Sequence, residues 1–425
     1  MKKLIFILIL FILPLILNAQ NINGRLSSSI YTFERFDTAN VSDTYFRSFQ
    51  SLSVNMNKSN LSLRARLNFE TNISNALDND PRLRLYNLYL EARSLFNLAT
   101  IKIGRQALYS SIAGGVYDGF NLKLKYQEYS IEGFYGGNVP AYQKLKFTDD
   151  WSNNFVLGGK FVTTILPNFN IILSYINKNF KPQSYFANRL NNALEPITIL
   201  IENKSNQYKY ASAQVSYRIP NMFNVNTRFD YDLNFKTASK FEISGRYEQI
   251  EKLGINVYYN YREPRVRYNS IFSVFNYGNT QEFEGGIDYQ ITPMITAFSK
   301  FGNVTYNDDN SQRLTLGINS NFGSISYRKT FGYAGELDAI SIYTAHSLFE
   351  GLVTPSFGIS HTSYKLSENA AKNNLTSILA GVNIRPWTLL SFDLQGQFFN
   401  NIIYKNDYRF LFKINYWFNT NLDLI

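Results

Sequence analysis

Apolar and polar residues alternate along this chain in segments of about ten residues, and the gaps between segments are short and long in turn. In the stretch from Tyr210 to Arg218, Ala211, Val215 and Tyr217 point one way, while Ser212, Gln214 and Arg218 point the other. Side chains alternate faces along a strand, so each segment carries one apolar wall and one polar wall. A soluble sandwich buries the apolar wall against a second sheet. A membrane barrel turns it toward lipid and keeps the polar wall for a watery interior.

The gaps decide between these two. Short ones fall at 57–60, 96–98, 127–128, 166–169, 219–222, 251–254, 291–294, 321–323, 350–351 and 385–387, and are rich in Pro, Asn and Gly. Strands joined by such gaps pair as antiparallel hairpins. Long gaps fall between them, at 37–43, 74–81, 107–115, 138–153, 180–205, 236–239, 264–279, 303–312, 331–336, 365–374 and 400–406. An all-β fold with about 22 strands (range 18–22) closed into one antiparallel transmembrane barrel has this layout, with termini and tight turns on the periplasmic side. Sandwiches and propellers do not keep that parity.

A strand of about ten residues, tilted about 40°, spans the ~25 Å apolar band of such a barrel. About 22 strands imply a backbone cylinder about 40–45 Å wide, too wide for side chains alone to fill. The first alternating segment follows closely on the N-terminal leader, so no separate plug domain is expected; either the strand count is high by two to four or loops narrow the bore. The longest gap, 180–205, with its partly apolar stretch 194–201, is the candidate to fold inward or to remain an ordinary surface loop.

The leader is residues 1–19: Met1-Lys2-Lys3 is basic, residues 4–17 are apolar apart from Pro14, and Ala19 precedes the expected cut. The barrel would then occupy 20–425. Mean hydropathy is −0.22, as expected where apolar and polar faces average out. The absence of cysteine excludes disulfides, a lipid anchor on Cys and thiolate metal sites. Thirty-one Tyr and 35 Phe suffice for aromatic girdles at two membrane interfaces. Net charge is +10, or +8 once Lys2 and Lys3 leave with the leader. With no basic run, that surplus points to anionic solutes or an anionic lipid surface rather than to nucleic acid.

The polar parity selects the lumen-facing residues. Ser62, Arg64, Arg66, Asn68 and Glu70 face inward against Leu61, Leu63, Ala65, Leu67 and Phe69, and Asn226, Arg228, Asp230 and Asp232 face inward further on. A charge on the lipid face costs about 2–4 kcal/mol for Arg or Lys at the midplane, so the parity is strongly specified. A basic wall is read at Arg47, Arg64, Arg66, Arg93, Lys102, Lys123 and Lys125 against Glu70 and Glu91, to which Arg313, Arg328, Arg409 and Lys413 are added, the last two brought beside the first group by ring closure. An acidic wall is read opposite, at Asp230, Asp232, Glu242, Glu248, Glu282, Glu284 and Asp288, with Arg228, Arg246 and Arg262 among them. Opposed walls would set a transverse field across the lumen. The same charges would otherwise serve as salt-bridged rungs that only stiffen the wall.

Catalytic chemistry is not expected. His346 and His361 fall in the outward parity or near strand ends, without Ser or Asp partners at a hydrolase spacing. Asp78-Asn79-Asp80 and Asn307-Asp308-Asp309-Asn310 carry oxygens suited to Ca²⁺, yet read more simply as solvated loop tips. No cofactor or metal is implied.

At Ile101-Lys102-Ile103-Gly104-Arg105-Gln106, followed by Asp118-Gly119-Phe120, the chain resembles porins of the alginate-export family. The match covers about 25 residues and implies an outer-membrane channel, with Gly104, Arg105, Gln106, Asp118 and Gly119 as its motif. The Ala19-Gln20 junction and the Asn-, Ile- and Tyr-rich composition are similar to outer-membrane proteins of the Bacteroidota. The aromatic alternation of the last strand, 409–418, resembles the signal read by the barrel-assembly machinery. Expected partners are therefore outer-membrane lipid, that machinery and a small solute. The leading expectation is a channel for small hydrophilic, preferentially anionic solutes. Its rival is a non-conducting barrel, either an adhesin or a component of an export or secretion assembly.

Overall fold

The computed structural model describes residues 21–421, leaving out 39–40, 75–79, 110–111, 113, 141–144, 181–184, 191–194, 202–206, 267, 269–273, 275–277, 308, 334, 368–369 and 403–404. The leader 1–19, together with Asp78, Asn79, Leu194 and Asp308, lies outside the described residues.

The first strands are β1 (Asn21–Thr38), β2 (Val41–Lys58), β3 (Leu61–Asn72), β4 (Arg82–Leu95), β5 (Ala99–Leu108) and β6 (Gly115–Tyr126). They continue as β7 (Tyr129–Val139), β8 (Phe155–Thr163), β9 (Phe169–Lys178), β10 (Tyr185–Leu190), β11 (Pro196–Ile201) and β12 (Tyr208–Ile219). Next come β13 (Phe223–Asp232), β14 (Thr237–Tyr247), β15 (Leu253–Arg262), β16 (Thr280–Thr292), β17 (Ile295–Tyr306) and β18 (Asp309–Ser320). The last six are β19 (Gly323–Gly332), β20 (Leu337–Ala345), β21 (Val353–Tyr364), β22 (Asn373–Trp387), β23 (Leu390–Asn400) and β24 (Asp407–Thr420).

Twenty-two of these form one sheet, in which β1 pairs with both β2 and β24, so the sheet closes. Every pairing is antiparallel between neighbours, and β9 pairs with β12 past the separate β10–β11 hairpin. Closure leaves no open edge, which is the condition for an extended chain to cross a bilayer. Both described ends meet on the short-turn rim, where Asn21 donates to Asn419 and Asn421.

Outward rows are apolar and exposed, as at Leu90, Ile103, Phe120, Ile131, Leu173, Phe301, Ile342 and Phe410. Their in-register neighbours share the face, for example Ile103 opposite Phe120 and Phe120 opposite Tyr135. The parity predicts a sharp contrast between two adjacent residues of β20. Ile342→Arg, on the lipid face, is expected to cost about 2–4 kcal/mol. Ser341→Arg, on the lumen face opposite Ser326 and Ser360, is expected to change stability little. Urea midpoints of the folded-to-unfolded gel shift measure both. Equal loss in the two variants would contradict the assigned faces.

The connections are less regular than their composition. Strands β1 and β2 are each 18 residues long. They run through most of the stretch 37–43, and β17 and β18 leave only 307–308 between them. Polar sequence does not forbid pairing, and a ladder that continues beyond the apolar band satisfies its backbone groups internally. Loop-rich composition therefore overstated the length of these connections. The turn between β13 and β14 is likewise short, 233–236.

Candidate functional site

Charged side chains line the lumen, and its two sides differ in how those charges are paired. On the side of β2–β6, Glu91 is nearly buried and shared by Arg64 (3.2 Å), Arg93 (3.0 Å) and Lys102 (3.7 Å). Glu70 is shared by Arg47 (3.5 Å) and Arg84 (3.6 Å). The guanidinium of Arg66 lies 5.7 Å from the Tyr86 ring centre, and the exposed Lys123 and Lys125 have no ion pair among the described residues. Cations outnumber carboxylates along the full height of this wall, from Arg47 and Arg84 near the loop end to Lys123 and Lys125 near the turns.

Arg84 was not among the residues read from the sequence. A bulge opposite Arg66 and Leu67 inserts Tyr86 into β4 and shifts the register. Arg84 thereby shares the lumen face with Asn87 and Glu91. The signal available in the sequence was Arg82-Leu83-Arg84, an alternation out of phase with the rest of its strand.

The opposite side, β13–β18, differs from a simple acidic wall, because its carboxylates are paired. Asp230, fully buried, takes Arg228 at 2.6 Å and Arg265 at 3.2 Å. Asp232 accepts the main-chain amides of Asn234 and Phe235. Glu242 pairs with Lys240 at 2.6 Å, and Glu248 with Arg246. Asp288 takes both terminal nitrogens of Arg246, at 2.7 and 3.0 Å. Arg313 bridges Glu282 (2.7 Å) and Glu284 (2.6 Å), and Lys300 adds to Glu284 at 3.6 Å.

The grouping of Arg313 with the basic wall is therefore corrected: its guanidinium belongs to the carboxylates of β16. It reaches them across β17 at Gly302, which lies opposite both Arg313 and Glu284 in register and has no side chain to intervene. Gly254 plays the same part for Arg246 and Asp288, since a Cβ there would meet both partners at under 3 Å. Of the remaining basic residues, Arg409 pairs with the buried Asp407 at 2.6 Å. Arg328 faces the lumen opposite Thr315, and Lys413 stands opposite Asp393 in register.

A short loop narrows one sector of the bore. Ile112, in the β5–β6 connection, is 1% exposed and packs with Leu108, Tyr117, Val156, Ile176 and Tyr210 against the inner wall. Lys178 donates to the Gly114 carbonyl at 2.8 Å. From the β15–β16 connection, Arg265 donates to the Ile112 carbonyl and pairs with Asp230. Two loops from distant parts of the ring are thus tied together inside the lumen. The gap 180–205, the candidate for this role on length, instead contributes the β10–β11 hairpin, with Phe186 and Leu190 exposed.

The residues of the short motif divide between the two faces. Gln106 faces inward and takes the Tyr117 hydroxyl at 3.3 Å. Arg105 and Asp118 oppose each other in register on the face of Ile103 and Phe120, the outer one. Arg105 is 0% exposed and Asp118 2%, because the β7–β8 connection folds back over them. Arg105 donates to Asp118 through Nε (2.7 Å) and Nη2 (2.9 Å) and to the Lys146 carbonyl at 2.8 Å. The Thr148 amide donates to Asp118 at 2.7 Å. The Phe147 ring lies 5.4 Å from the guanidinium, and Trp151 packs on Phe120 and Tyr135.

Just below this pair, Gly104, Gly119 and Gly136 stand side by side across β5, β6 and β7. A Cβ on any of them would fall 2.1–2.3 Å from a neighbouring strand's carbonyl oxygen, and Gly104 has φ +125°. Glycine is required for so close an approach.

His361 stands opposite Ile340 and contacts the Thr376 hydroxyl at 3.0 Å, while His346 packs near Phe322 at the turn end. Asp80 accepts the Asn72 amide at 2.7 Å, and Asn310 accepts Thr305 at 2.8 Å. The Asp80 oxygen ties its own loop to β3, whereas Asp309 and Asn310 are strand residues of β18 paired with β17 rather than a loop tip.

No family model and no curated protein matches the chain, so the resemblance read at Gly104-Arg105-Gln106 finds no counterpart there. Solved structures align with 94% of it. The translocation pore of the P pilus usher PapC is 9% identical, with a TM-score of 0.46 over 99% of that chain. OccAB1 of Acinetobacter baumannii is 7% identical, at 0.44 over 96%. OpdK of Pseudomonas aeruginosa, solved with vanillate, is 11% identical, at 0.41 over 99%. None of these likenesses assigns a solute to this chain.

Proposed function

We propose that the protein is an outer-membrane channel through which small hydrophilic solutes diffuse, with anions preferred. The observation that carries this reading is the unequal pairing of lumen charge. The wall around Arg66, Lys123 and Lys125 keeps cations without carboxylate partners among the described residues, whereas the β13–β18 wall is close to self-neutralised. A closed barrel with an apolar exterior belongs in a bilayer, and the inner loop packs against only one sector of its wall. The tight turns and both described ends would face the periplasm, as in single-chain outer-membrane barrels.

Fixed cations raise the local concentration of anions within about one Debye length, ~10 Å at 0.1 M salt and ~3 Å at 1 M. Zero-current potentials across a KCl gradient in a planar bilayer should therefore show anion preference that fades as salt rises. Neutralising Arg64, Arg66 and Lys123 together to Gln should bring the chloride-to-potassium permeability ratio close to unity at low salt. Unchanged selectivity in that triple variant would refute the role of the basic wall. A silent bilayer with folded barrel would refute the channel itself.

A further inference from the structure

The paired wall forms an open-sided pocket of about 820 Å³ that runs from Asn224 and Asn319 near the short turns to Glu282 and Arg313, within the ~300–1,000 Å³ of small-ligand pockets. We propose that this pocket is a subsite for a neutral saccharide of two or three rings. The inference rests on the channel reading only in requiring that solute reach the lumen.

The charge pattern comes first. Arg246 with Asp288, and Arg313 with Glu282 and Glu284, lie so close that the pocket presents both signs side by side. A free ion there meets attraction and repulsion within a few ångströms and gains little. A hydroxyl both donates and accepts, so it suits such a wall. These groups are paired but not covered: Arg246 is 37% exposed, Asp288 24% and Glu284 20%. A carboxylate has about four acceptor sites and a guanidinium five donors, so capacity remains after the ion pairs form. Asn224, Asn226, Asn256 and Asn319 on the lining add amide donors and acceptors.

Shape and rings come second. Tyr258 and Phe298 both line the pocket. They flank β16 in register with Glu284 and Asp288 respectively. Between those carboxylates the inward position is Gly286, and the Phe298 ring lies over the inward Gly317, where a Cβ would be 2.5 Å from it. Glycine inside a strand weakens it, and here Gly317 makes room for the Phe298 ring while Gly286 makes room for the stem of Lys300, which also lines the pocket. Aromatic faces at the edge of a hydrogen-bonding floor match a sugar ring, which is apolar on its C–H face and polar around its rim. On the basic side a pocket lined by Asn87, Tyr89, Gln106, Tyr117 and Asn121 also joins rings to amides, but at about 110 Å³ it is too small for a sugar of two or three rings.

Maltotriose is the probe. Calorimetric titration of the folded barrel in a sugar-free detergent reads binding whether or not the pore conducts. Ion-current fluctuations in a bilayer read it in the channel. Saturable binding is expected, with affinity falling about ten-fold or more in Tyr258→Ala/Phe298→Ala, whose anion preference stays as in the parent. Folding of the double variant is checked by the heat-modifiable gel shift. Absent calorimetric binding, unchanged affinity in the folded double variant, or binding of sodium gluconate in preference to maltotriose would each overturn the proposal. Binding by calorimetry with a silent bilayer would support the subsite while refuting the channel.

Discussion

Arg105→Ala is expected to destabilise the barrel by about 3–5 kcal/mol, the loss that follows removal of one partner from a buried ion pair. The side chain is fully buried and satisfies Asp118 through two hydrogen bonds of 2.7 and 2.9 Å. Without it, the Asp118 carboxylate keeps the Thr148 amide but no described cation, on the outer face of a membrane barrel. Arg105→Leu with Asp118→Leu removes both charges and should cost markedly less, because no uncompensated ion is left behind. Urea midpoints of the gel shift compare the two.

Release of the β7–β8 connection supplies a second readout. In the parent the exposed Lys146 is held by Asp149 at 2.8 Å, and the strap beside it is pinned at both Arg105 and Asp118. Trypsin cleavage after Lys146 should therefore accelerate in Arg105→Ala. A single variant as mild as the double would show that Asp118 finds another partner and that the clamp is dispensable.

Ile112→Ser is expected to enlarge single-channel conductance. Burying an isoleucine side chain is worth about 1.5–3 kcal/mol, and Ile112 is among the most buried side chains of the inner cluster. Every 1.4 kcal/mol is ten-fold in an equilibrium. Losing this contact should shift the loop's docked population by about ten-fold or more, leaving the cations of β2–β6 in place. Conductance should thus rise while selectivity at low salt falls only modestly, through the wider bore.

Arg265→Ala tests the same tie from the other loop. It removes a donor to the Ile112 carbonyl and one of two cations on Asp230. Because both variants act on one contact, their combined effect should be less than additive. Conductance unchanged in both would show that the narrow point lies elsewhere.

Strand number and facing were legible in the sequence because they depend on a local period of two. Leu61-Ser62-Leu63-Arg64 states its faces without reference to any other strand. Charge pairing was not legible in the same way. Arg313 stands two strands from Glu284, and its bridge depends on Gly302 lying between them in register. The inward glycines Gly254 and Gly302 are the trace this leaves in the sequence, while the charges that flank them are set by strand register.

The motif at Gly104-Arg105-Gln106 drew attention to a site, but an outward Arg and Asp contradict the cost of charge on the lipid face unless something covers them. The cover is the β7–β8 connection, which lies 27 to 33 residues beyond Asp118 at Leu145–Trp151. Loop direction likewise escaped composition: the longest gap made a hairpin of its own, and the shorter one at 109–114, carrying Ile112, turned inward.

The rhythm of alternation and gap thus determined a closed barrel with a polar bore, since both follow from period-two geometry and the need to satisfy every backbone group in lipid. Which cations lack carboxylate partners, which loop enters the bore and what covers the Arg105–Asp118 pair outside it were decided by tertiary structure. Those outcomes depend on side chains meeting across strands and loops, at distances that no local pattern encodes.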